Sequence, residues 1–258
     1  MDVQTVFKRY ELKYLLDPVQ KERILDAMRA HMEPDRYGRT TIRNIYFDTD
    51  TYRLVRRSIE GPVYKEKLRV RSYSRALPDS SVFVELKKKY DGVVYKRRLT
   101  MPEHDAMRWI AGEDGLAPDT QIGREIASFL TYYRTLRPAC FLSYEREAYA
   151  SFDGSDFRVT FDENILSRQS DMSLTQGVWG TPLLAPDRTL MEIKTSGAIP
   201  LWMVRAMTEA KAAKVSFSKY GEAYRTQIFP GTRNNVRVFR PAEAVLPELS
   251  EKGVCIYA

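Results

Sequence analysis

From residue 9 to 14 charged and apolar side chains alternate one by one, the period of a β-strand with one buried face, within a strand predicted over 6–16. Further strands are predicted at about 40–48, 63–73, 81–89, 93–99, 139–150, 156–162 and 189–195, eight in all. Helical spacing replaces alternation elsewhere. Asp17 as N-cap and Pro18 at the first helical position predict a helix over 18–32, with Ile24, Leu25 and Met28 on its apolar side. Thr100 followed by Glu103 reads as a capping box opening a helix through Met107, Trp109 and Ile110. Ile122, Ile126, Phe129, Leu130 and Tyr133 mark another helix, and 200–214 a last one. Asp91-Gly92 and Asp153-Gly154 are hairpin turns, because Asp-Gly tolerates positive φ. The strands should therefore pair mostly antiparallel, in one domain spanning 1–258.

In four strands the polar positions are charged. They are Arg9, Glu11 and Lys13; Lys65, Lys67, Arg69 and Arg71; Glu85, Lys87 and Lys89; and Glu192 with Lys194. A solubilising face usually mixes signs, whereas 65–71 presents a single-sign row whose members repel. A polyanion lying along the row would relieve that, and Glu11, Glu85 and Glu192 could hold a divalent cation that the anion also ligates. Eight antiparallel strands suffice for a closed barrel around one small ligand. The expected fold is α+β: a closed eight-stranded antiparallel barrel, charged faces inward, with helices packed outside on the apolar faces.

Composition narrows the partners. Among 258 residues the net charge is +7, which suits an acidic ligand. The N-terminus lacks an uninterrupted apolar stretch, and nothing approaches the roughly 18 apolar residues of a spanning helix. Cys140 and Cys255 lack metal-ligand spacing, which points to idle thiols in a reducing cytoplasm. His31, expected to end a helix, and His104, in the first turn of another, belong to no metal or triad motif. Trp109, Trp179 and Trp202 read as packing residues, and Tyr46 with Asp48 as a structural strand end. Basic residues intermixed with glutamates, without a stacking motif, argue against nucleic acid. The absence of a Gly-rich Lys-Ser/Thr loop argues against a Walker-type kinase.

Tyr10-Glu11-Leu12-Lys13-Tyr14, Lys67-Leu68-Arg69-Val70-Arg71, Phe83-Val84-Glu85-Leu86-Lys87, Ser143-Tyr144-Glu145-Arg146, Glu192-Ile193-Lys194 and Ser216-Phe217-Ser218-Lys219-Tyr220 together, in this order over about 7–224, resemble the VTC domain. That is the polyphosphate polymerase domain of the vacuolar transporter chaperone family, within the CYTH superfamily of triphosphate tunnel metalloenzymes. The resemblance implies a basic tunnel that takes a nucleoside triphosphate or polyphosphate with Mn²⁺ or Mg²⁺. Residue by residue it implies Arg69, Arg71, Lys87, Arg146 and Lys219 as catalytic. Lys13, Lys67, Lys96, Arg98, Tyr144, Arg158 and Lys194 would bind phosphate, the parity of Lys96 and Arg98 being open. Glu192, with Glu11 and Glu85, would hold the metal. Arg9 stands where the wider superfamily alternates a first glutamate, a departure from the simple triphosphatases.

The implied activity is transfer of a terminal phosphoryl group onto phosphate or polyphosphate. A triphosphatase and a non-catalytic polyphosphate or nucleotide sensor are the alternatives. No intrinsic membrane segment is expected, the location is cytoplasmic, and the oligomeric state is left open.

Overall fold

The computed structural model describes residues 10–229; Arg9 and Cys255 lie outside them. In chain order the elements are β1 (Tyr10–Leu16), α1 (Pro18–Met28), β2 (Met32–Pro34), β3 (Thr40–Asp48), α2 (Arg53–Glu60), β4 (Tyr64–Ser72), β5 (Ser81–Tyr90), β6 (Val93–Pro102), α3 (Glu103–Ile110) and α4 (Gln121–Tyr132). There follow β7 (Arg137–Ser151), β8 (Arg158–Arg168), β9 (Thr181–Pro182), β10 (Thr189–Thr195), α5 (Leu201–Glu209) and α6 (Lys219–Ala223), which runs into a π-helical turn (Tyr224–Ile228).

The strands form one antiparallel sheet in the order β1-β10-β8-β7-β3-β4-β5-β6, with β2 paired to β7 and β9 to β8. All eight predicted strands are present. The structure does not show the expected closure into a barrel: among the described residues β1 and β6 end the path without a hydrogen-bonded ladder between them. The ends nevertheless approach, since Lys87 of β5 contacts Glu11 of β1 at 3.2 Å. The sheet thus curls until its charged faces look at one another across a hollow, and side chains bridge the gap.

Local chemistry accounts for much of this. Asp17 accepts from the Gln20 amide while Gln20 accepts from that of Asp17, so α1 opens on a capping box with Pro18 in its first turn. It stops at Met28, earlier than its apolar spacing predicts, because 32–34 pair with β7. His31 consequently lies past the helix and stacks on Trp202 at 4.3 Å. The turn between β5 and β6 puts Asp91 at φ 42° and Gly92 at φ 80°. The proposed capping box at Thr100 does not form: Thr100 pairs with Phe83 in the ladder, and α3 starts after Pro102 with no side-chain cap. The last predicted helix ends at Glu209, with Lys211 at positive φ.

The outward faces of the strands carry the core. Leu68, Val70, Val84 and Leu86 join Trp109 of α3 and Phe129 of α4. Tyr14, Val159, Met191 and Ile193 join Ile24 and Met28 of α1 and Met203 of α5. A third cluster departs from the expected plan of helices outside only. Tyr46, Leu142, Tyr144 and Leu190 project on the charged side of the sheet, where Val55 of α2 and Tyr220 of α6 cover them. Tyr220 stacks on Tyr46 at 4.8 Å and donates to Asp48, whose carboxylate also accepts the Leu54 and Val55 amides at the start of α2. The Asp48 strand end is structural, as expected. Two helices therefore plug part of the hollow, and α6 carries Lys219 into it.

Candidate functional site

Register places the charged side chains in rows. Lys13 stands opposite Glu192, Glu11 opposite Lys194, and Lys194 in turn opposite Arg158. Across the other half, Lys67 faces Lys87 and Lys87 faces Lys96, while Glu85 lies between Arg69 and Arg98. The open parity is resolved: Lys96 and Arg98 share the face of Glu85.

Two carboxylate-centred clusters result. Glu85, 1% exposed, accepts Arg69 at 2.7 Å, Lys96 at 2.7 Å and Arg98 at 2.6 Å, with Arg71 at 3.9 Å. Burial alone would raise its carboxyl; Arg69, Arg71, Lys96 and Arg98 hold it well below the ordinary range. Arg71 donates to Asn44 at 2.9 Å and to the Tyr144 hydroxyl at 3.0 Å, and Arg69 to that of Tyr46 at 3.0 Å. Neutral oxygens thus fix the Arg71 guanidinium, and they share that of Arg69 with the Glu85 carboxylate.

The second cluster has two carboxylates. Asp162 binds Arg146 through two bonds of 2.6 Å and Lys219 at 2.5 Å. Glu192 meets Lys219 at 3.0 Å, Arg146 at 3.2 Å, Lys13 at 3.4 Å and Lys194 at 3.5 Å. Burial opposes ionisation of Glu192, but Lys219, Lys13, Lys194 and Arg146 outweigh it and keep the carboxyl far below its usual range. The Lys219 ammonium is correspondingly raised: burial works against its charge, and Asp162 and Glu192 more than restore it.

Between the clusters lie Lys13, Lys67 and Lys87. Lys13 donates to the Phe217 carbonyl and Lys67 to the Ser218 hydroxyl, both at 2.9 Å. Lys67 has no carboxylate partner among the described residues. Burial, then Lys87, Lys13, Lys65 and Arg69, push its amine down to about 7.

Lys13, Lys67, Arg69, Arg71, Lys87, Lys96, Arg98, Tyr144, Arg146, Lys194 and Lys219 are therefore brought together with Glu11, Glu85 and Glu192. Arg158 shares the face but is exposed at its strand's start, without an ion pair among the described residues. The three glutamates expected to hold one metal do not converge, since Glu85 contacts no side chain that Glu11 or Glu192 contacts. No group of three or more His, Cys, Asp and Glu that could hold a metal exists among the described residues. Glu11 and Glu192 do share Lys13, and opposite Glu192 the buried Thr160 hydroxyl has no hydrogen-bond partner. Carboxylate and hydroxyl oxygens are the hard donors that a divalent cation takes, with phosphate oxygens and water completing its shell.

Sequence reasoning missed Asp162, Asn44, Tyr46 and Ser218 as parts of the site. Ser218 lay inside a quoted motif. Asp162 was signalled only by its parity with Arg158. Lys219 opens α6, with Ser218 as N-cap.

Among the described residues no helix is long and apolar enough to cross a membrane. No curated protein matches the sequence. A Bacillus halodurans protein proposed to be an adenylate cyclase is similar in structure over 85% of this chain and 99% of its own, at 14% identity and a TM-score of 0.52. That likeness shows a shared fold. A Hippeastrum protein described as a proposed adenylyl cyclase that reveals a dominant triphosphatase activity is similar over 86% of this chain and 97% of its own, at 14% identity and a TM-score of 0.48. The sequence itself matches the VTC domain over residues 8–228, most of its length, and the chain belongs to the VTC domain family.

Proposed function

We propose that this protein transfers the terminal phosphoryl group of a nucleoside triphosphate onto phosphate or the end of a polyphosphate chain. The observation that carries the reading is the excess of cations over carboxylates on one curled face, contributed by β1, β4, β5, β6, β7, β10 and α6. Family membership supports chemistry on triphosphates or polyphosphate.

Phosphoryl transfer asks little covalent work of a protein; it asks for alignment and for charge to meet the equatorial oxygens. Arg69 and Arg71, held in place by Tyr46, Asn44 and Tyr144, present guanidinium forks to adjacent phosphoryl oxygens. Arg146 and the Lys219 ammonium add positive charge from the second cluster, where Asp162 holds both in place. The bond from the γ-phosphorus to the β,γ-bridging oxygen breaks as the acceptor oxygen bonds to that phosphorus, so the acceptor phosphate is itself the nucleophile. No side-chain nucleophile is needed. Glu192 and Glu11 would hold a Mg²⁺ or Mn²⁺ ion, which would neutralise phosphate charge.

The test incubates the protein with ATP and Mn²⁺ and separates long phosphate chains from free phosphate. Chains should form, vanish with a chelator, and fall on the order of 10²- to 10³-fold with Arg71→Ala, the usual effect of removing one preorganised charge-stabilising donor. Free phosphate without chains would instead establish a hydrolase, and tight polyphosphate binding with neither product a sensor.

A further inference from the structure

Where β4 meets β5, lysines stand directly opposite one another: Lys65 against Lys89, and Lys67 against Lys87. Like charges so placed repel. Lys87 has Glu11 and Lys67 has the Ser218 hydroxyl, but neither Lys65 nor Lys89 has a carboxylate partner among the described residues. Among the described residues the Lys65 ammonium reaches only the Ser58 carbonyl, at 3.4 Å.

Lys65 also borders a recess walled by Arg53 and Arg57 of α2, Tyr64 and Glu66 of β4, and Tyr133. The arginines are one helical turn apart and face the same way. Neither pairs with a carboxylate among the described residues, and Arg53 lies over the Tyr133 ring at 5.5 Å. Glu66 is the one carboxylate of the recess, and its oxygens take the Tyr64 and Tyr133 hydroxyls at 2.6 Å each. The lysine rows therefore continue, with little counter-charge, from the hollow onto α2.

We propose that Lys65, Lys89, Arg57 and Arg53 form a second polyanion site, which holds the distal phosphates of a linear polyphosphate chain while its reacting end lies among the arginines of the hollow. This rests on the phosphate-binding reading above. Lys65 follows Lys67 on the same strand face, about 6.5 Å on, so a chain that passes Lys67 meets Lys65 next and then Arg57. A triphosphate confined to the hollow never reaches α2.

Binding of tripolyphosphate and of long-chain linear polyphosphate is measured for the parent and for R53S/R57S. The double variant should bind the long chain about tenfold more weakly and with a shallower salt dependence, as expected when two cation-phosphate contacts are lost. Tripolyphosphate binding should stay unchanged. K89S, far from α2 in sequence, should lose long-chain affinity in the same direction, which guards against a folding defect confined to that helix. A parent that binds both ligands, with variants that lose neither or lose both equally, overturns this site alone. A parent that binds neither overturns the reading of the hollow, and this site with it.

Discussion

β7 and β8 carry charge on both faces, and the two faces are composed oppositely. On the outer one Glu145 stands opposite Glu163, and together with Glu147 they are served by Arg39 and Lys21, with Arg39 at 2.9 Å and Lys21 at 2.7 Å from Glu163. Carboxylates outnumber cations there, and Arg39 is 42% exposed, so water can screen the imbalance. On the inner face Arg146 stands opposite Asp162, and the cations that meet it and Glu192 outnumber both acids. Asp162 is fully buried. Excess charge in such a place is costly unless something compensates it. The outer network completes itself with solvent, whereas the inner one, on the function proposed, would be completed by a ligand of opposite sign.

Asp162→Asn should break this contrast most visibly. It leaves Arg146 and Lys219 without one of their carboxylates, and breaking a buried pair of this kind costs on the order of 3 kcal/mol. Urea unfolding should show that loss, and tripolyphosphate should restore much of it by returning negative charge to the hollow. A variant as stable as the parent without ligand would mean that the inner face bears no electrostatic stress.

The strands and their charged faces were legible because alternation is local: each of 64–72 and 81–90 shows its own period. How the faces meet was not, because the order β1-β10-β8-β7 joins residues far apart in the chain. Asp162 drew no notice since its partners, Arg146 and Lys219, come from another strand and from α6. The helix α2 escaped for a different reason. It is short, enters from Tyr52 at a left-handed φ of 55°, and takes its capping bonds from Asp48 across a turn instead of from an adjacent N-cap side chain. Thr100 and Glu103 matched a capping box by spacing alone, and the ladder with β5 took Thr100 first. Closure of the barrel was inferred from strand number, which says nothing of whether the last edge pairs.

Titration sharpens the comparison further. On the inner face burial, and then Lys87 on β5, Lys13 on β1 and Lys65 and Arg69 on its own strand, hold Lys67 at about 7. Its folded pKa lies below that of an unfolded lysine, so the penalty for its charge is fully present below about pH 7 and fades as pH rises towards 10.5. An incoming polyanion favours the ammonium. Tripolyphosphate binding at pH 8 should therefore take up a proton, read by calorimetry in buffers of different ionisation enthalpy. The uptake should disappear at pH 6 and in Lys67→Met. On the outer face Glu163 is held at about 2: burial opposes its charge, and Lys21, Thr189 and Arg39 overcome it. That carboxylate stays ionised throughout this range and should contribute no proton, so uptake that survives in Lys67→Met would place the responsive group elsewhere.

Arg39→Ala should have the smallest effect. It removes the guanidinium shared by Glu145, Glu147 and Glu163 and leaves the first and last facing each other. Because the site is open to water, the loss should be about 1 kcal/mol or less and should shrink further in molar salt. Phosphoryl transfer should be unchanged, since Arg39 points away from the hollow. The decisive reading is the pairing of outcomes: Asp162→Asn rescued by polyanion and Arg39→Ala indifferent to it. If tripolyphosphate stabilised Arg39→Ala as strongly as it rescues Asp162→Asn, the anion would be acting on the whole basic protein, and the two faces of β7 and β8 would not differ in the way their composition implies.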